Sequence, residues 1–146
     1  MTGTFTGQSG ATAQRTATAS CSSQYAGGKG QVVTSGSLRK GLRLKVTAPA
    51  GRRIDVLRIS LPKGVRVPAA RRTRSGVLKR AKGLRLVGRT LQVAVPKAGA
   101  ASVTVKIPKG ALAVPRALTR RSTVPTTVRV AYGGGSREVV VAKARP

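Results

Sequence analysis

The chain has no histidine and no tryptophan, and Cys21 is the only cysteine among its 146 residues. Histidine is the commonest metal ligand and a frequent general base, so its absence removes both roles. One cysteine allows neither an intrachain disulfide nor a multi-cysteine zinc site. Acids are almost as scarce, because Asp55 and Glu138 are the only carboxylate side chains. General acid–base catalysis uses histidine or paired carboxylates, and the sequence therefore predicts no enzyme, no cofactor and no metal site.

Aromatic residues are also rare, at 2% of the chain, although apolar residues make up 40%. A core must therefore come from Val, Leu, Ile and Ala. No segment approaches the roughly 20 apolar residues of a membrane span, so no membrane insertion is predicted. Residues 1–20 lack the basic and apolar regions of a signal peptide, and we expect any export signal to lie upstream of them.

Charge of one sign dominates what is present. Lysine and arginine total 29 against the two acids, which gives a net charge of +27. Two carboxylates cannot neutralise so many cations, and the repulsion that remains favours polyanionic partners, bound in a salt-sensitive way. Arginine suits bidentate contacts with phosphate or carboxylate groups. The candidate polyanion-binding residues are the clustered ones: Arg52, Arg53, Arg71, Arg72, Arg74, Lys79, Arg80, Lys82, Arg120 and Arg121.

Composition divides the chain into two parts. Residues 1–36 are rich in Thr, Ser and Gly, with Arg15 and Lys29 as their only charges before residue 31. Such a segment has little apolar surface to bury, and it is predicted to be a flexible, disordered arm or the remnant of a preceding domain. Residues 37–146 carry nearly all the charge and are predicted to form one basic domain.

The predicted domain is all-β because its apolar residues recur with a period of two. Such alternation marks strands with one buried and one cationic face, over 42–48, 54–61, 102–107, 126–132 and 137–142. Within Ile54 to Leu61 the apolar phase changes, which suggests a bulge or a strand covered on both faces. The Pro68–Lys82 segment is predicted to be a long exposed loop, and Pro115 to begin a short helical turn.

Two hairpins can be assigned a register. Around Gly88-Arg89, a two-residue turn with positive φ at the glycine pairs Leu86 with Leu91 and Leu84 with Val93. The closing hairpin has two solutions. A three-residue Gly133–Gly135 loop pairs Val130 with Glu138, whereas a four-residue loop pairs Val130 with Val139. The second places like beside like, and it is the register that we predict.

The stretch from about Leu42 to Ala142 resembles the small β-sandwich modules of secreted or surface proteins of soil actinobacteria. The segments that carry this resemblance are LRLKVTAPAGRRIDVLRISLPKGVRV, GLRLVGRTLQVAVPKAGAASVTVKIPKGAL and TTVRVAYGGGSREVVVAKA. It implies a single antiparallel β-sandwich of about seven strands, immunoglobulin-like or polycystic-kidney-disease-like in architecture. Such repeat modules act as spacers or adhesive units, which implies no catalytic residues.

Three functions are compatible with these features. The first is a non-enzymatic extracytoplasmic module whose cationic face associates nonspecifically with anionic envelope polymers or acidic neighbouring domains. The second is a cytoplasmic basic protein associated nonspecifically with nucleic acid, since scarce aromatics argue against sequence-specific recognition. The third is a structural stalk with a merely solvated charged surface.

Overall fold

The computed structural model describes residues 2–6, 12–16, 29–72, 78, 81 and 83–146. The fold is all-β, with short helical segments only in connections. The strands are β1 (Thr2–Thr6), β2 (Thr12–Thr16), β3 (Gln31–Ser37), β4 (Gly41–Thr47), β5 (Ile54–Ser60), β6 (Leu84–Val87), β7 (Thr90–Val93), β8 (Ser102–Ile107), β9 (Val124–Tyr132) and β10 (Arg137–Ala144). A 3-10 helix covers Ala69–Arg71, and α1 covers Arg116–Thr119.

Eight of these strands form two antiparallel sheets. The five-stranded sheet has the order β10-β9-β5-β7-β6, and the three-stranded sheet has the order β3-β4-β8. One cluster of buried aliphatic side chains draws on both sheets, including Leu44 of β4, Val105 of β8 and Ile59 of β5. The sheets therefore face each other across a common core, and the predicted antiparallel β-sandwich is confirmed.

Alternating patterns placed most strands correctly. In β4 the leucines and Val46 are buried, while Arg43 and Lys45 between them are exposed. In β5 the register against β9 shifts between Ile54 and Val56, which is the irregularity that the changed apolar phase indicates. Gly88 has a φ of 61°, and Leu86 pairs with Leu91 as predicted.

The predicted register of the closing hairpin is wrong. Val130 pairs with Glu138, and Val140 pairs with Val128. This register turns Val140, Ala142 and Ala144 toward the core and leaves Val139 and Val141 exposed. The inward-facing Glu138 is tolerated because it sits at the end of the sandwich, where its carboxylate has hydrogen-bond donors. The predicted register considered only which residues lie opposite each other in the hairpin. The observed register is the one that buries the inward-facing residues along the whole length of β10.

The N-terminal part contains more strand than the composition indicates. β1 and β2 form a separate two-stranded antiparallel sheet. Residues 31–36, expected in the arm, form most of β3, which pairs with β4 along its full length. Because β3 is an edge strand whose side chains are exposed or half-buried, it lacks the buried alternation by which the other strands were found.

The edge strands β3 and β10 join the two sheets on one side. The Thr34 hydroxyl donates to the Lys143 carbonyl at 2.8 Å, and the Leu38 amide donates to the Arg145 carbonyl at 2.9 Å. Val33, Val139 and Val141 lie beside this seam and are each about 60% exposed.

Two similar turns bring the long connections together. Pro62-Lys63-Gly64 after β5 and Pro108-Lys109-Gly110 after β8 each close with a backbone hydrogen bond from the residue after glycine to the proline carbonyl. The following segments then pair, since Arg66 and Ala113 exchange two backbone hydrogen bonds. In the second connection Pro115 precedes α1, as predicted. In the first, Leu78 and Ala81 are buried, so the predicted exposed loop is anchored in the core.

Candidate polyanion-binding surface

The predicted basic residues fall at both ends of the sandwich. Arg52 and Arg53 precede β5, whereas Arg71 and Arg72 follow it in the connection to β6. Arg120 and Arg121 follow α1 and precede β9, which runs antiparallel to β5. These last two therefore lie toward the same end as Arg71 and Arg72. Arg74, Lys79, Arg80 and Lys82 lie outside the described residues.

The end of the sandwich where β5 stops collects cations from four separate connections. The β3–β4 and β6–β7 turns open there, as do the β5–β6 and β8–β9 connections. The backbone confirms their proximity, because Gly110 donates to the Arg39 carbonyl and Arg66 pairs with Ala113. We call the exposed basic residues of these connections the cationic pole; they are Arg39, Lys40, Lys63, Arg66, Arg71, Arg72, Arg89, Lys109, Arg116, Arg120 and Arg121.

Both carboxylates lie at the opposite end. Asp55 is at the start of β5, and Glu138 is at the start of β10. The Glu138 Oε2 accepts hydrogen bonds from the Tyr132 hydroxyl at 2.7 Å and from the Gly30 amide at 3.2 Å. Arg52 lies over the Tyr132 ring, 5.9 Å from its centroid, and donates to the Ser136 hydroxyl. The acids therefore cannot neutralise the cationic pole, which is a sandwich length away.

The contacts of Tyr132 make its phenol hard to ionise. Burial raises the pKa of Tyr132 well above its ordinary value, and the hydrogen bond to the Glu138 carboxylate and its negative charge raise it further, against the opposing charge of Arg52. Tyrosine in the unfolded chain has a pKa of about 10, so below that pH the phenol is neutral in both states and the stability of the fold is unaffected by its ionisation. As the pH rises from about 10 toward the folded-state pKa, the unfolded chain loses this proton first, and the free energy of unfolding falls.

We expect this shift to be visible by absorbance at 295 nm in the Tyr25→Phe variant, which leaves Tyr132 as the only tyrosine. The folded protein should ionise well above pH ~10, and the urea-unfolded protein near pH ~10. Adding Glu138→Gln should lower the folded pKa, because a neutral amide replaces the carboxylate. Ionisation of the folded protein near pH ~10 would contradict the hydrogen-bonded arrangement.

The outer face of the five-stranded sheet carries a second set of cations. Arg129 of β9 lies directly opposite Arg58 of β5, and Arg58 lies opposite Gln92, which in turn faces Arg85 of β6. The three arginines thus form one row across the sheet, and all are exposed. Like charges directly opposite each other destabilise a sheet, so this row gains from a bound anion.

The three-stranded sheet repeats this arrangement on a smaller scale. Arg43 lies opposite Lys106 on the outer face, and Lys45 follows two residues along β4. The sequence indicates that these residues are exposed, because they form the polar half of each alternating strand. It does not indicate which of them lie opposite each other, because that depends on strand order. The clusters along the chain therefore give only part of the cationic surface.

Comparison of the chain with family models, curated proteins and solved structures gives no match. Among the residues that the structure describes, no three His, Cys, Asp or Glu side chains are grouped as a metal site would require. The helices within the same residues are too short to cross a membrane.

Proposed function

We propose that the chain is a non-enzymatic spacer or adhesive module of the cell surface that binds anionic envelope polymers through its cationic pole. The observation that carries this proposal is the separation of charge: basic residues from four connections gather at one end, and both acids lie at the other. A flexible polyanion can contact many such residues together, with phosphate or carboxylate groups replacing the missing internal partners.

The course of the chain favours a spacer. It enters the sandwich at Gly30, beside Glu138 at the acid-bearing end, and leaves after Ala144, which pairs with Val124 at the cationic pole. A strand of the length of β9 spans roughly 30 Å. Entry and exit at opposite ends suit a module placed in series between others. Extracytoplasmic placement belongs to the same proposal and follows from the resemblance to surface modules.

The pole is tested by removing charge from one end at a time. The variant Arg116→Gln/Arg120→Gln/Arg121→Gln removes three exposed cations from the pole. The control Lys29→Gln/Lys97→Gln/Arg137→Gln removes three exposed cations from the rest of the surface. Binding to fluorescent poly(glycerol phosphate) is measured by anisotropy at several salt concentrations. The pole variant should bind more weakly, and its slope of log K against log salt should be shallower by about two to three.

The control should keep a slope close to that of the unmodified chain. Equal losses in both variants would refute the pole as the binding surface, since net charge alone would then decide affinity. Double-stranded DNA of mixed sequence is titrated in parallel at the same phosphate concentration. Binding to DNA about tenfold tighter than to the polymer would favour the nucleic-acid function instead.

A further inference from the structure

A pocket of about 280 Å³ opens within the cationic pole, between the end of β5 and the β6–β7 turn. Among the residues that the structure describes, three arginines line it, namely Arg66, Arg72 and Arg89, together with Gly64 and Gly88. Its apolar lining residues include the buried Val65 and Val67, whereas the three arginines have exposed side chains. The volume lies just below the ~300–1,000 Å³ typical of small-molecule sites, so it suits one charged group and a short attached chain.

Two of the three guanidinium groups are held in place by the backbone. Arg72 Nε donates to the Val67 carbonyl at 2.9 Å, and Arg89 Nη2 donates to the Pro62 carbonyl at 3.2 Å. Each guanidinium has five N–H donors, so most remain for a ligand. Anchoring reduces the side-chain entropy that is lost on binding, which distinguishes these arginines from freely rotating surface cations.

The third arginine is positioned by the main chain. Arg66 lies between the inward-facing Val65 and Val67, and its backbone pairs with Ala113 of the neighbouring connection. Neither acid lines the pocket. Asp55 lies near the other end of β5, about 20 Å along the strand from Leu61. Three described arginines therefore line one cavity that neither carboxylate side chain lines.

We propose that this arginine pocket binds a single phosphate-type oxyanion, as a discrete site within a surface that otherwise binds anions diffusely. Planar guanidinium groups match the geometry of phosphate oxygens, and hydrogen bonds between charged partners are about twice as strong as neutral ones. The inference rests on the proposed function, because the pocket would hold a phosphate group of the bound polymer.

In the test, the full chain is titrated with inorganic phosphate while chloride is reduced to keep the ionic strength constant. Binding is read from the backbone amide chemical shifts. We expect saturable shifts in residues 61–67 and 86–89. Arg72→Gln and Arg89→Gln should each lower phosphate affinity about tenfold, as loss of a charge-assisted hydrogen bond implies. Arg39→Gln removes the same charge from the pole outside the pocket and should change affinity by less than about twofold. Urea unfolding of each variant verifies that it is folded.

Equal phosphate affinity in all three variants, or shifts spread evenly over the sandwich, would overturn the pocket. The variant with Gln at 116, 120 and 121 separates this result from the proposed function. If that variant binds the polymer more weakly, but phosphate affinity is the same in the Arg72, Arg89 and Arg39 variants, the pocket is refuted and the proposed function of the cationic pole stands. Selective phosphate binding with polymer affinity independent of the pole would support the pocket and refute the proposed function.

Discussion

Raising the salt concentration from about 50 to 200 mM should weaken binding to poly(glycerol phosphate) by on the order of 10³-fold. A single-stranded polyanion releases about 0.7 counterions for each phosphate that a cation contacts, so about eight contacts give a slope near −6 in a plot of log K against log salt. The cationic pole supplies enough exposed residues for this number. Anisotropy of labelled polymer at five or more salt concentrations measures the slope directly.

A slope shallower than about −2 would contradict binding across the pole, because it corresponds to only about three contacts. Poly-glutamate provides a useful comparison. If the interaction is purely electrostatic, a carboxylate polymer of equal charge spacing should give a similar slope. A contribution from the arginine pocket adds affinity for the phosphate polymer through charge-assisted hydrogen bonds, beyond the counterion release that sets the slope.

Strand positions could be predicted from the sequence where one face of the strand is buried. In β4 and β8 the alternation of aliphatic and basic residues is regular, and the predicted positions agree closely with the structure. The β6–β7 hairpin was predictable in register as well, because its turn chemistry and its leucines indicate the same pairing.

Features that depend on distant parts of the chain could not be predicted. The closing register follows from the fit of the whole of β10 to the core, and the Tyr132 hydroxyl and Gly30 amide make the inward position of Glu138 acceptable. Likewise, Arg89 shares a pocket with Arg66 and Arg72 although it belongs to a different turn. The sequence predicted a strongly basic surface, but its concentration at one end follows from strand order and from the pairing of two connections.

Replacing Leu57 with alanine should lower the free energy of unfolding by about 3–5 kcal/mol. Leu57 is fully buried in the central strand of the larger sheet, where it pairs with Val93 on one side and Val130 on the other. Both neighbours are β-branched and have few alternative rotamers, so the cavity can collapse only partly. Tyr132 is the only aromatic residue among the described core residues, so the core around Leu57 is aliphatic.

This loss should be most visible at low salt. A net charge of +27 destabilises the compact state through self-repulsion, which salt screens, so the unfolding free energy of both proteins should rise between about 50 and 500 mM NaCl. Urea denaturation at both salt concentrations measures this without adding an ionic denaturant. Because domains of this size have about 5–15 kcal/mol of stability in all, Leu57→Ala removes a large fraction of it, and its urea midpoint should be lowest at the lower salt concentration.

Val139→Ala is the matched control for the core substitution. Val139 is 62% exposed on the outer face of β10, and its truncation should change stability by no more than about 0.5 kcal/mol. A loss below about 1.5 kcal/mol for Leu57→Ala would contradict a tightly packed core at this position. A Val139→Ala loss as large as that of Leu57→Ala would mean that β10 turns Val139 inward, which is the register that pairs it with Val130 in place of Glu138.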